Sequence, residues 1–342
     1  MSINSLTKQS DLQIKSKFKP AWWLKNRHLQ TIVPRLYPVP CDFRVWHNQF
    51  DLSDGDFVEI SWSRHTNDIE PEQPIVLVLH GLEGSIDSFY AKRMMNALYN
   101  NKWTSVLMHF RGCGNQTNRK AQTYHSGQTT DVAEFIQYLK QRFPNNPIYA
   151  VGFSLGGNVL TKYVGENENS LLEGAVVISA PLDLAICADA IGHGFATVYE
   201  KYLVDKLVNS TCKKIDYLQD SFPIKLKIDD VKNIKTLVEF DEKITAPLNG
   251  FESGLDYYQK ASGNQFLKSC QTRTLIIHAE DDPFMTKEVI PTTDMLSDYV
   301  TLEVSHHGGH VGFLAGNNPF NPEFWAETRT VEFIQSLIAT PK

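Results

Sequence analysis

The pentapeptide Gly152-Phe153-Ser154-Leu155-Gly156 limits the folds open to this chain more than any other stretch does. A short, apolar, β-rich run, Ile148 to Val151, precedes it behind Pro147. Leu155 to Val164 follows and can wind as a helix, with Gly165 as a stop. A serine on a turn this sharp, between a strand and a helix, has a strained backbone and a hydroxyl pushed clear of the sheet. Two residues to either side, a Cβ would collide with neighbouring backbone, so glycine is required there. Gly152 and Gly156 fill both places. Glycine and serine are common residues. The flanking strand and helix are what separate this stretch from an ordinary Gly-rich turn and predict a nucleophile elbow at Ser154.

The rest of the chain keeps the rhythm that such an elbow needs. From residue 43 the pattern is strand, turn at Asp54-Gly55, and a second strand over Phe57 to Trp62, where apolar and polar residues alternate. Ile75 to Leu79 is apolar throughout, as expected of a strand covered on both faces. Ser88 to Tyr99 reads as a helix, Ser105 to Met108 as a strand, and Thr129 to Phe143 as a helix carrying Val132, Phe135, Ile136 and Leu139 at helical spacing. After the elbow come strands over Ala175 to Ser179, Thr274 to His278 and Val300 to Val304, then a closing helix over Glu323 to Ile338. The expected class is α/β, a mostly parallel central sheet flanked by helices. The alternation breaks between Pro181 and about Ser262, where no buried strand is evident and helix-like stretches such as Thr197 to Val208 appear. This predicts a core over residues 43–181 and 263–342 with a helical cap inserted at 182–262. Phe195, Tyr199, Tyr202, Leu203, Phe251, Tyr257 and Tyr258 either line an acyl pocket under that cap or form the core that holds it to the sheet.

Residues 1–42 differ in character. Lys8, Lys15, Lys17, Lys19, Lys25 and Arg27 are interleaved with Leu12, Ile14, Phe18, Trp22, Trp23 and Leu24. Such a segment can lie on a membrane interface or pack as an arm on the body. Pro20 and Pro34 interrupt any long amphipathic helix, which favours the arm. Net charge is −6, so no basic excess points to nucleic acid. The five cysteines Cys41, Cys113, Cys187, Cys212 and Cys270 are widely spaced, without a CxxC, which argues against a disulfide framework or a zinc site and fits a reducing cytoplasm. The amino terminus has no apolar secretory core, and no apolar run approaches the ~20 residues that span a bilayer.

A serine nucleophile needs a base, and the base needs a carboxylate to orient it. Just beyond the strand Thr274 to His278 lie Glu280, Asp281 and Asp282, at the rim where open α/β sheets place their sites. Beyond the next strand lie His306, His307 and His310 on a glycine-rich loop. Spacing does not choose among the three acids. His310 is favoured as the base, because glycines before it and Val311-Gly312-Phe313 after it suit a tight approach to a buried site. His80-Gly81-Leu82-Glu83-Gly84-Ser85 directly follows the run Ile75 to Leu79, and its glycines let the loop curl its N–H groups inward. The N–H groups of Leu82 and Leu155 are the expected oxyanion donors. The histidines lack the i, i+4 helical spacing of a metalloprotease, so neither metal nor cofactor is expected. Arg111 is read as paired to a carboxylate, Cys113 as a small apolar residue, and His125 and Asp131 as structural neighbours of the same loop.

These stretches together resemble the YheT-type branch of the α/β-hydrolase superfamily, a group of candidate esterases. The resemblance rests on His28-Leu29-Gln30-Thr31, His80 to Ser85, Met108-His109-Phe110-Arg111-Gly112-Cys113, Tyr124-His125-Ser126-Gly127, Gly152 to Asn158, Asp281-Asp282-Pro283-Phe284 and His307 to Phe313, and covers about residues 22 to 325. Gly114-Asn115 departs from the family pattern after the cysteine. The resemblance implies Ser154 as nucleophile, Asp282 as acid, His310 as base, and a small-molecule ester as substrate. Acyl transfer or thioester hydrolysis on the same three residues, or a catalytically silent scaffold, are the alternatives that sequence leaves open.

Overall fold

Apolar runs with no polar face need cover on both sides, and this chain places a helix after nearly every such strand. The computed structural model describes residues 12–39, 41–168 and 170–339. Its main sheet is built from β1 (Gln13–Lys15), β2 (Trp46–Asp51), β3 (Phe57–Trp62), β4 (Ile75–Leu79), β5 (Thr104–Met108), β6 (Ile148–Phe153), β7 (Gly174–Ile178), β8 (Thr274–Ala279) and β9 (Val300–Ser305). They lie in the order β1-β9-β8-β7-β6-β4-β5-β3-β2. The strands from β1 across to β5 are parallel, and β3 and β2 complete the sheet as an antiparallel edge. A small antiparallel pair, β10 (Leu314–Ala315) and β11 (Glu323–Phe324), stands apart.

Among the described residues the α-helices longer than a single turn of three residues are, in chain order, α1 (Arg27–Ile32), α2 (Phe89–Asn100), α3 (Thr130–Arg142), α4 (Leu155–Glu166), α5 (Leu184–Ile191), α6 (Thr197–Leu218), α7 (Ile228–Lys232), α8 (Leu237–Phe240), α9 (Gly254–Ala261) and α10 (Trp325–Ala339). On one face of the sheet Ile75, Leu77 and Leu79 of β4 pack with Val132, Phe135 and Leu139 of α3 and Val159 and Leu160 of α4. On the other, Val76 and Val78 pack with Met94, Met95 and Leu98 of α2 and Val331 and Ile334 of α10. Successive residues of one strand thus feed opposite cores, which is why the run contains no polar residue. Fully burying each such side chain contributes roughly 1.5–3 kcal/mol.

β4 is the pivot of the topology. The chain leaves β4 for β5 on one side, then returns past it to β6 on the other. Connections depart to opposite sides at this point, and a crevice opens at the carboxyl ends of β4 and β6. Among the described residues the chain between β7 and β8 forms helices and turns but no strand. These helices carry apolar clusters of their own, one built on Val204, Leu207, Val231, Ile234 and Ile244 and another on Leu184, Tyr257 and Tyr258.

The arm contributes more than packing. Its β1 adds an edge strand beside β9, too short to stand out from the alternating lysines around it. Trp23 packs with Ala21, Leu24 and Leu314, whereas Trp22 is exposed and donates Nε1–H to Asn317 O at 3.3 Å. The closing helix begins at Trp325 rather than Glu323, because Glu323 and Phe324 are held as β11 against β10.

A buried charge cluster fastens the antiparallel edge to the parallel core. Arg111, just after β5, donates from Nε and Nη2 to Asp131 at 2.7 Å each, and from Nη1 to Asp54 at 2.8 Å and Asp56 at 3.3 Å. Burial opposes its charge, but the Asp131 and Asp54 carboxylates outweigh that and push the guanidinium above its ordinary pKa. Arg111→Ala leaves the buried Asp131 and Asp56 without a cation and Asp54 with only Lys120, at 3.4 Å. It should lower the unfolding free energy by about 3–5 kcal/mol, read from urea denaturation. A loss below about 1 kcal/mol, the worth of a surface pair, would refute this role.

Candidate active site

β6 ends at Phe153 and α4 begins at Leu155, leaving Ser154 alone on the turn with φ 51° and ψ −122°. A non-glycine residue in such a region costs roughly 1–3 kcal/mol unless its surroundings enforce it. Here Ser154 N–H donates to Ile178 O at 2.9 Å, and Asn158 N–H donates to Ser154 O at 3.1 Å. A Cβ on Gly152 would come within 2.5 Å of Gly156 O, and one on Gly156 within 2.6 Å of Leu79 O. The two glycines therefore let α4 leave the sheet directly over β4 and β6.

The three acids and three histidines pair one to one. Glu280 meets His306 Nδ1 at 2.5 Å and Asp281 meets His307 Nδ1 at 3.2 Å, both toward the surface. Asp282, buried, accepts from His310 Nδ1–H at 2.8 Å. That bond leaves Nε2 as the acceptor on the far side of the ring, and it stands 3.0 Å from Ser154 Oγ. Asp282 is itself steadied by Phe284 N–H, at 2.9 Å. The ring of Phe284 lies flat on the His310 imidazole, with centroids 3.9 Å apart and planes 8° apart.

The loop after β4 is locked from both ends. His80 donates Nδ1–H to Gly81 O at 2.7 Å and accepts Phe110 N–H on Nε2 at 3.0 Å, which requires a neutral ring. Gly81 N–H donates to Tyr90 Oη at 2.9 Å. Glu83, at φ 50°, donates its N–H to Tyr124 Oη at 2.7 Å and accepts on its carboxylate from Tyr124 Oη–H at 2.9 Å and Ser210 Oγ–H at 2.5 Å. The loop passes beside Ser154: a Cβ on Gly81 would lie 3.2 Å from Ser154 Cβ. Between these anchors the N–H of Leu82 has no acceptor among the described residues. The same holds for Leu155, the first residue of α4, where the helix presents free N–H groups.

Several residues that complete this arrangement carry no local pattern in sequence. Thr31 Oγ1 accepts His310 N–H at 2.9 Å and donates to Arg27 O at 2.8 Å. Gln30, buried, accepts Leu314 N–H at 2.8 Å and donates to Leu24 O at 2.7 Å and Leu314 O at 2.9 Å. A Cβ on Gly309 would come within 2.6 Å of Arg27 O, so α1 lies directly on the His310 loop. Ser179 Oγ accepts Val311 N–H at 3.1 Å from the other side. The signal for Gln30 and Thr31 was the family-like stretch His28 to Thr31, and the role was visible only in three dimensions.

A cavity of about 640 Å³ opens over Ser154, with Leu82, Leu155, His310 and Phe284 in its floor. Of the aromatic and apolar residues singled out between β7 and β8, Tyr199, Tyr202, Leu203, Tyr257 and Tyr258 line it. Phe195 instead packs, tilted, against His28 at 4.4 Å, and Phe251 packs with Tyr257. His125 also faces the cavity, while burial pushes the Cys113 thiol well above its ordinary pKa. Among the described residues no helix is long and apolar enough to cross a membrane.

A family model for the alpha/beta hydrolase fold matches residues 74–316. The chain belongs to the α/β-hydrolase family, on its esterase and lipase side. It is 37% identical to the candidate esterase YheT of Escherichia coli (strain K12), over 99% of this chain and 98% of that one. It is 28% identical to a monoacylglycerol lipase of Saccharomyces cerevisiae, over 70% of this chain and 55% of the yeast protein. The fold also matches the solved structure of the esterase Pf2001 of Pyrococcus furiosus, with a TM-score of 0.56 over 87% of this chain and 92% of that one, at 16% identity.

The histidines behind the site set a pH limit on the fold. Burial, helped by the neighbouring His109, pushes His80 down to about 3, and burial pushes His109 and His125 down to about 4. Above an ordinary histidine pKa of 6.5 both folded and unfolded states are neutral there. Below it, the unfolded chain takes up protons that the folded protein refuses. Stability should therefore be full above pH 6.5 and fall as pH drops toward 4. Melting temperature followed from pH 7.5 to 4.5 should show the decline, with a shallower slope for His109→Gln. A flat profile down to pH 5 would contradict it.

Proposed function

We propose that this protein hydrolyses carboxylic esters through an acyl-enzyme, with Ser154 as nucleophile, His310 as base and then acid, and Asp282 as the group that orients the imidazole. The observation that carries this reading is the unbroken hydrogen-bonded line from Asp282 through His310 to Ser154, at the floor of the cavity. His310 Nε2 takes the Ser154 proton as Oγ attacks the ester carbonyl, and Asp282 stabilises the imidazolium that forms. The N–H groups of Leu82 and Leu155 receive the oxyanion, each worth roughly 100–1000-fold in rate. His310 then protonates the leaving alcohol, and a water molecule repeats the sequence to release the acid.

Residues 182–262 serve as the cap, and their apolar wall sets the acyl group. A cavity of about 640 Å³ lined by Leu184, Ile191, Tyr199, Leu203 and Phe240 suits an extended aliphatic chain better than acetate alone. Kinship with the yeast monoacylglycerol lipase favours a fatty acyl ester of a small alcohol. Ser154→Ala should lower kcat on p-nitrophenyl butyrate by at least ~10⁴-fold, with the melting temperature retained. A fluorophosphonate probe should label the parent and not the variant. Turnover that persists in Ser154→Ala would end this assignment.

A further inference from the structure

Two neighbouring helical segments expose apolar side chains at the same spacing. On α1 and the 3-10 turn Val33–Leu36 that continues it, Leu29, Ile32 and Leu36 are exposed, from 39% at Ile32 to 76% at Leu36. On the turn Gly194–Ala196 and the α6 helix it leads into, Phe195, Val198 and Tyr202 are exposed, at 42% to 57%. Positions i, i+3 and i+7 fall on one side of a helix, so each segment presents an apolar stripe. The stripes are joined. The His28 ring packs tilted against Phe195 at 4.4 Å, and Arg35 Nη2–H donates to Tyr202 Oη at 3.0 Å. Ile32, Arg35 and Tyr202 also line the cavity over Ser154, so the stripes meet where that cavity reaches the surface.

The charge around the stripes is one-signed where they are most apolar. Residues 25 to 36 contain Lys25, Arg27 and Arg35 and no carboxylate. Lys206 Nζ sits 5.1 Å from the Tyr202 ring centre. On α6, Glu200 is buried and takes Leu237 N–H at 3.0 Å, and Asp205 is paired with Lys201 at 2.7 Å. Exposed aliphatic and aromatic side chains beside cations that have no carboxylate partner among the described residues match a negatively charged lipid surface, with side chains among the acyl chains and cations on the phosphates.

We infer that the face formed by α1 and the start of α6 docks on an anionic bilayer and turns the cavity mouth toward it. The docking does not depend on the chemistry of Ser154. Its purpose rests on the esterase reading above: an acyl ester passes from the bilayer into the cavity beside Ile32 and Tyr202 without crossing water.

The test uses Ser154→Ala protein, so that no vesicle lipid is consumed, and measures co-sedimentation with phosphatidylglycerol–phosphatidylcholine vesicles and with phosphatidylcholine alone. Binding should appear on the anionic vesicles and fall about tenfold or more with Leu36→Ser plus Val198→Ser, and likewise with Lys25→Gln plus Arg27→Gln. Neither Leu36 nor Val198 lines the cavity. With Ser154 intact, the Leu36→Ser, Val198→Ser protein should turn over a water-soluble short ester at the parent rate, which also reports an intact fold. Absence of binding to anionic vesicles, or binding that both pairs of substitutions leave unchanged, overturns the proposal. So does a dimer in sedimentation velocity that the Leu36 and Val198 changes dissolve, since a second copy would then be the occupant. A parent protein inert on the soluble ester would sink the esterase reading instead, and the vesicle result would stand.

Discussion

Ser154 keeps its positive φ because the backbones of β4, β6 and α4 are pressed together around it. Gly152 and Gly156 permit that closeness, and the two hydrogen bonds at Ser154 N–H and O hold it. Every other part of the site is placed relative to this turn. The β4 loop runs beside it because β4 and β6 are hydrogen-bonded neighbours, with Leu79 opposite Gly152. The Asp282 and His310 loops reach it because β8 and β9 follow in the same parallel sheet. A side chain at either glycine would force α4 off the sheet, and the spacing between Ser154 and the β4 loop would be lost with it.

Behind this rigid turn the protein uses neutral polar groups and pairs its acids with cations. His80 holds its loop as an uncharged ring, with one nitrogen donating and the other accepting. Arg111 is buried with its charge matched by Asp54, Asp56 and Asp131, and Glu280–His306 and Asp281–His307 pair off the acids and histidines that flank Asp282 and His310. Phe284 closes the face of His310, which removes a rotational freedom that a hydrogen bond to Asp282 alone would leave.

The sheet was readable in the sequence because double-sided burial leaves an unmistakable apolar run, as in β4, β6 and β7. Ser154, the three acids and the three histidines each lie just past such a run, and the structure brings Ser154, Asp282 and His310 into one hydrogen-bonded line. Spacing did not choose among Glu280, Asp281 and Asp282, and only the family resemblance pointed to Asp282, since three adjacent acids share one loop and only the direction of each side chain separates them. Phe195 and Tyr199 look alike in sequence and both touch His28 of α1, yet only Tyr199 lines the cavity, because Phe195 sits on the turn before α6 and Tyr199 on the helix itself. Gln30 and Thr31 are ordinary polar residues whose importance comes from a loop far along the chain. The short strand β1 depends on a partner far along the chain, and β10 and β11 are two residues each, so none carries a pattern of its own.

The bond from His310 N–H to Thr31 spans 279 residues, and that from His310 to Ser154 spans 156. Contacts so far apart are slow to close, and a growing chain offers its earlier segments first. α1 therefore emerges long before the loop it must lie on, and Gln30 and Thr31 have only their local partners Leu24 and Arg27 until the last strands are in place. The seat of His310 is finished only when the two ends of the sheet's construction meet. A molecule interrupted before that point has the elbow, the β4 loop and a sheet nearly complete, and still lacks a placed imidazole. Order of assembly thus leaves the hydrogen bond between His310 and Ser154 among the last to form.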